Sequence, residues 1–178
     1  MGDTRARGVP GFSGAAREQK GERAMPKRVL KDEQTINALL ERTPVGVLAT
    51  CAGDQPWAVP MNFVYDAAAR RVYLHAAPTG RKLANIQANP KARFLVYVPG
   101  KLVRGETPCR FGQRYQSVIL AGHAWVVSDP AEKQTALSRL VAKFAEGREL
   151  GPIPAAELER VAVLAIDVEE ISGKENVD

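Results

Sequence analysis

Tyr73-Leu74-His75-Ala76-Ala77-Pro78-Thr79-Gly80-Arg81-Lys82-Leu83-Ala84-Asn85-Ile86-Gln87-Ala88-Asn89 is the stretch on which the reading of this chain turns. It reads as a strand that breaks at Pro78 into a short helix, with Thr79 as an N-cap type and Asn89-Pro90 as the stop. Arg81 and Lys82 fall in the first helical turn. A helix N-terminus is already the positive end of a dipole, so cations there are locally unfavourable. They make sense if an anion sits among them, held also by the free backbone N–H groups. Local rules are broken in this way at functional sites. The stretch reads either as a phosphate clamp at a strand end or as a solvated basic turn.

Working outward, residues 45–51 form a strand of small and branched apolar residues, and Gly53-Asp54 turns the chain. Residues 55–65 alternate, with Trp57, Val59, Met61, Phe63 and Tyr65 on one face and Ala58, Pro60, Asn62 and Val64 on the other. Pro60 cannot donate to a ladder and marks an edge or a bulge. Residues 70–77 are the third strand, 91–98 the fourth, 114–127 the fifth and 160–171 the last. The stretch 99–112, rich in Pro and Gly, reads as a long loop of the kind that is often functional.

Helical spacing predicts a helix to Arg42 capped by Asp32, and another from Ser128-Asp129-Pro130 to about Gly147. Leu137, Leu140, Val141 and Phe144 make the expected buried stripe of the second. A short helical turn follows at 155–158. Short connections make the strands mainly antiparallel. The expected fold is mainly β with flanking helices, a six-stranded antiparallel barrel rather than a doubly wound sheet.

The chain of 178 residues suits one domain, and its 45% hydrophobic and 25% charged composition is that of a globular protein. No apolar run approaches the ~18 residues of a membrane span. The N-terminus lacks the apolar core of a signal peptide, so a cytoplasmic location is expected. The net charge of +5 would suggest nucleic acid, but residues 1–28 carry seven Lys/Arg against three acids. The rest is close to neutral, and no nucleic-acid partner is expected.

Residues 1–28 read as a disordered basic tail, 29–172 as the folded domain and 173–178 as a polar tail. Met25 is an alternative start. Two cysteines and two histidines supply neither a disulfide framework nor a metal centre. Cys51 reads as a small core residue, Trp57 and Trp125 as packing residues, and Glu169-Glu170 as a solvated pair.

No nucleophile elbow, phosphate-binding Gly-rich loop or dinucleotide fingerprint is present. His75 borders any ligand at the clamp, or is structural. Asn62 interrupts an apolar strand; a buried amide there needs partners, which a heterocycle or the neighbouring backbone would supply. Ser117 and Tyr115 offer hydroxyls from another strand, or simply pack across it.

Four stretches, in this order and spacing, resemble the flavin-binding split-barrel superfamily related to pyridoxamine 5′-phosphate oxidase. They are Pro56-Trp57-Ala58-Val59-Pro60-Met61-Asn62-Phe63, Tyr73-Leu74-His75 followed by Gly80-Arg81-Lys82, Arg114-Tyr115-Gln116-Ser117-Val118-Ile119 with Gly122, and Ile171-Ser172-Gly173-Lys174-Glu175-Asn176. Within that superfamily the chain looks closest to the nitroimidazole-resistance branch.

The resemblance implies a homodimer of six-stranded split barrels with FMN in clefts between subunits. It implies that Arg81 and Lys82 hold the FMN phosphate. Val59, Pro60, Met61 and Asn62 would face the ring edge through backbone and amide groups. Ser117, with Gln116, would reach the flavin from the partner subunit. His75 would stand near the ring, as a candidate proton donor, since imidazole titrates near neutrality. The expected activity is a flavin-dependent, nitroreductase-like oxidoreductase passing electrons to nitroimidazoles or other small organic acceptors. The alternative is a non-catalytic flavin-binding protein for storage or sensing. The Arg-Leu-x-Pro type C-terminal signature of true pyridoxamine phosphate oxidases is replaced by Gly173-Lys174-Glu175-Asn176, which argues against vitamin-B6 oxidation.

Overall fold

The structure, a computed structural model, describes residues 28–145, 147–148 and 151–177. The basic tail and the start at Met25 therefore lie outside the described residues, save Arg28, which opens the first strand. The elements run β1 (Arg28–Leu30), α1 (Glu33–Arg42), β2 (Val45–Ala52), β3 (Gln55–Asp66), β4 (Arg71–Ala76), α2 (Arg81–Ala88), β5 (Lys91–Val103), β6 (Gly112–Val126), α3 (Pro130–Phe144), α4 (Ala155–Arg160) and β7 (Ala162–Asn176).

Every strand pairing is antiparallel. The order β7-β4-β3-β2-β5-β6 closes on itself because β6 also pairs with β7. Six strands thus form a split β-barrel, as the connection lengths suggested. β1 is a further strand beside the C-terminal end of β7, where Leu30 lies opposite Gly173. β7 continues to Asn176, paired with β6, past the expected stop at Ile171.

Alternation decides which residues fill the barrel. Leu48, Phe63, Leu74, Phe94, Val96, Leu120 and Leu164 are fully buried inside it. Phe63 and Phe94 meet edge to face with ring centres 4.9 Å apart, a favoured aromatic geometry. Two helices join this core. Leu39 and Leu40 of α1 enter beside the start of β2, and Leu83 and Ile86 of α2 enter beside its end. Asp32 caps α1 by accepting from the Thr35 amide at 2.8 Å. Asn85 and Asn89 anchor α2 to Thr50 and to the Cys51 carbonyl at 3.1 and 3.0 Å.

The outward face of β3, β4 and β7 packs against α3, where Val64, Tyr73, Val163 and Ala165 meet Ala136, Leu137 and Leu140. Asp129 caps that helix through the Glu132 amide, and Pro130 opens it as the sequence suggested. Its stripe is narrower than expected: the helix stops at Phe144, which is 39% exposed, and Ala136 takes a buried place instead. Arg71 pins α3 to the barrel. It bonds Glu132 at 2.9 Å and Asp167 at 2.7 Å while lying over the Trp125 ring at 4.8 Å.

The stretch 99–112 is not a loop. β5 and β6 continue into it as a hairpin, closed by a single helical turn at Pro108–Arg110. The register shifts between Pro99 and Leu102, a bulge that brings Leu102 opposite Gln113. Among the described residues no helix is long and apolar enough to cross a membrane.

Candidate functional site

The strand, turn and short helix form where the sequence places them, with a different cap. The N-cap of α2 is Gly80, at φ 128°, and no side chain caps the helix. Thr79 is therefore not the cap: the backbone must swing through a conformation that glycine tolerates and a β-branched residue resists. Arg81 and Lys82 occupy the first turn, with no acid among them. The first amides of a helix have no intrahelical acceptor, so main-chain donors and two cations share one small region.

Arg81 is exposed, and its guanidinium lies 4.7 Å from the centre of the Trp57 ring. That contact was not legible in sequence, where Trp57 read only as a packing residue. Trp57 is 39% exposed, so its ring is a platform at the barrel rim.

From Trp57 the chain runs along β3 through Val59, Pro60, Met61 and Asn62. β4 registers with β3 only from Phe63 to Asp66. The residues before Phe63 have β2 on one side, and their second edge is open among the described residues. Pro60 sits on that edge, where its missing N–H costs nothing. Val59 is half-buried, Met61 buried, and Pro60 and Asn62 exposed. Asn62 is thus an accessible amide on the outer face, not a buried one in need of core partners. His75 stands beside it: Phe63 pairs with Leu74, and Asn62 and His75 are the next residue on each strand. His75 is exposed.

Gln116 and Ser117 lie elsewhere on the barrel. Asn62 is opposite Val45, Val47 opposite Leu95, and Tyr97 opposite Ser117. Asn62 and Ser117 therefore lie on one outward cross-strand row, three strand steps or roughly 14 Å apart. Gln116 accepts from Arg42 at 2.7 Å and donates to Glu175 at 3.1 Å. Ser117 donates to the Lys174 carbonyl at 3.4 Å. Within one chain the structure gathers Arg81, Lys82, Trp57, the β3 edge, Asn62 and His75, and leaves Gln116 and Ser117 apart from them.

The outer face between these two groups is apolar and uncovered by any described element. Val45, Leu95, Tyr97 and Ile119 are 37–47% exposed on it. The opposite outer face, under α3, shows what a covered face of this barrel looks like. Cys51 is half-buried on the open side and contacts the Gly53 carbonyl, so it is not a core residue. Glu169 meets His123 Nδ1 at 2.7 Å, beside the register shift that separates Glu170 from Val168 on β7.

A six-stranded antiparallel split barrel with a cationic helix start at its rim defines a class of fold and site. The family described as Pyridoxamine 5′-phosphate oxidase matches residues 32–175, and the chain belongs to that family. No curated protein sequence matches it. Among solved structures it is similar to the flavocytochrome Anf3 from Azotobacter vinelandii, at 27% identity over 84% of this chain and 70% of that one, with a TM-score of 0.74. It is also similar to the FAD and heme binding protein from Mycobacterium smegmatis, at 22% identity over 84% and 74%, TM-score 0.76. A candidate 5-nitroimidazole antibiotic resistance protein from Bacteroides thetaiotaomicron aligns at 23% identity over 84% and 87%, TM-score 0.73.

Proposed function

We propose that the protein is a flavoprotein oxidoreductase that binds FMN and works as a homodimer on small organic acceptors, nitroaromatics among them. The carrying observation is the joining of a cationic helix start to an open β3 edge that ends in Asn62 and His75. Trp57 and Asn62 are five residues apart on β3, roughly 17 Å at strand rise. That run suits an elongated ligand with a phosphate at one end and a polar heterocycle at the other. Arg81, Lys82 and the first amides of α2 would take the phosphate; Asn62 and the free main-chain groups of Val59–Met61 would take the heterocycle.

The uncovered apolar face supports the dimer. A second copy seated there would bring its Gln116 and Ser117 toward the first copy's β3 edge, which the same residues cannot reach within one chain. Bound FMN supplies electron transfer between a reductant and an acceptor. The chain's own part is to hold the phosphate, orient the ring edge, exclude water, and present the His75 imidazole as a proton donor.

The first test is the visible absorption spectrum of the purified protein, with mass identification of whatever heat releases. FMN is expected; FAD or a deazaflavin would correct the cofactor, and a colourless protein that takes up no flavin would end the reading. Steady-state oxidation of a reduced nicotinamide with a nitroimidazole then separates an enzyme from a storage or sensing module. Turnover above that of free FMN is expected.

A further inference from the structure

The end of β7 lies between two strands. β1 pairs along one side, from Arg28 opposite Glu175 to Leu30 opposite Gly173, and β6 along the other, from Tyr115 opposite Asn176 to Val118 opposite Gly173. A strand held on both sides is a rigid mount for the side chains it carries. Glu175, half-buried, stands opposite Gln116 on β6. The Gln116 Nε2 donates to Glu175 Oε2 at 3.1 Å, and its Oε1 accepts from Arg42 Nη2 at 2.7 Å.

A side-chain amide turned by half a rotation keeps its shape and exchanges its donor for its acceptor. Here neither neighbour tolerates the exchange. A guanidinium only donates, and an ionised carboxylate only accepts. The turned amide would face Arg42 with N–H groups and Glu175 with an oxygen, and both hydrogen bonds would be lost. Gln116 is therefore held in one orientation, from the end of α1 and from the end of β7. An amide has two N–H groups and two acceptor lone pairs. One of each is committed, and no described residue takes the others.

We propose that Glu175, with Arg42, is a positioning residue for flavin binding: it locks the Gln116 amide in the orientation in which that amide meets the flavin of the second copy. This rests on the flavoprotein and dimer reading. A polar group already held in its bound orientation gives up less rotamer freedom when the ligand arrives, and the saving appears as affinity. The segment Gly173-Lys174-Glu175-Asn176, which stands in place of the Arg-Leu-x-Pro type signature, then has a part in the site: it carries the orienting carboxylate.

A double-mutant cycle on the full chain tests this, with FMN affinity read by fluorescence quenching. Glu175→Ala should weaken FMN by about three- to tenfold, the scale of one hydrogen bond. Glu175→Gln keeps the shape but can face the amide with either end, so its loss should be smaller. In a Gln116→Ala background, Glu175→Ala should cost nothing further, because the group it positions is gone. Should Glu175→Ala melt far below wild type, the isosteric Glu175→Gln carries the same cycle. An equal loss in both backgrounds would assign the carboxylate to the stability of β7 and overturn the proposal. Undiminished affinity in Glu175→Ala, or in Gln116→Ala alone, overturns it as well. In each of these cases FMN still binds and the flavoprotein reading stands, whereas a wild-type chain that takes up no flavin overturns both.

Discussion

The Arg81 guanidinium rests 4.7 Å from the centre of the Trp57 ring. The pair explains how a helix tolerates Arg and Lys in its first turn with no acid beside them. An aromatic face offers a partial negative surface, worth roughly 0.5–1 kcal/mol at an exposed site. It also holds the guanidinium over a residue of β3.

Two variants separate the charge from its platform. Arg81→Ala with Lys82→Ala should strip the protein of FMN, because charge-assisted hydrogen bonds to phosphate are worth roughly 1.5–3 kcal/mol each. Trp57→Ala should weaken FMN by only a few-fold, since it removes a support and leaves both cations. Trp57→Phe should recover most of that loss. Flavin titration by fluorescence quenching gives the three affinities. Undiminished affinity in the double variant would remove the clamp.

Gly122 marks the point where β7 bulges against β6. A Cβ at Gly122 would fall 1.8 Å from the Asp167 carbonyl oxygen, which is backbone and cannot turn aside. Gly122→Ala should therefore destabilise the barrel by about 1–3 kcal/mol or more, the range for overpacking. Thermal melting of the variant measures this. A melt within a degree or so of wild type would mean that the bulge yields freely.

The β5–β6 hairpin shows why some of the structure was illegible. Pro99, Gly100, Gly105, Pro108 and Gly112 are loop punctuation, and the bulge between Pro99 and Leu102 shifts the alternation by one residue. Period-two reading fails across such a shift even where pairing continues. The end of β7 was hidden for a related reason: Gly173 through Asn176 is polar and carries no pattern, and only its pairing with β6 and β1 makes it a strand. By contrast, Asp32 and Asp129 were readable as caps, because the N-cap preference is local chemistry. The start of α2 was readable from Pro78 and Gly80 as breakers, but its cap was not, since Thr79 carries the N-cap chemistry and Gly80 takes the position. Trp57 under Arg81 was not, since it depends on how α2 folds back over the rim of β3.

Lys143 gives a pH prediction. Burial pushes its ammonium down from 10.5 to about 8, with Glu41 opposing the shift. The Nζ donates to the Leu40 carbonyl at 2.9 Å and sits 3.9 Å from the centre of the Phe63 ring. The folded state thus disfavours the charged form relative to the unfolded chain. Between the folded value near 8 and the unfolded value of 10.5 the unfolded chain binds more protons, so this group makes stability rise with pH across that window. Below the folded value the group's contribution is constant and unfavourable. Lys143→Met should abolish the rise. Melting temperatures of the two proteins from pH 7 to pH 10.5 give the comparison, and parallel profiles would show that the lysine is fully hydrated.

The open face is where the proposed dimer would bury its second copy. Leu95 and Ile119 lie opposite each other across β5 and β6, and the hairpin bulge keeps Leu102, 61% exposed, on the face of Gln113 and Tyr115. This stripe runs from Val45 to the hairpin, longer than scattered surface residues would make it. A charge in its centre should be incompatible with burial against a second copy, so Ile119→Glu should give a monomer by sedimentation. Ile119 is 42% exposed in the single chain, so the variant should keep its fold by circular dichroism. It should also lose flavin affinity, although Ile119 touches neither Arg81 nor Asn62, because the partner's Ser117 and Gln116 would be withdrawn. A monomer that holds FMN as tightly as wild type would show that one chain completes the site. An undisturbed dimer would place the subunit contact on some other face of the barrel.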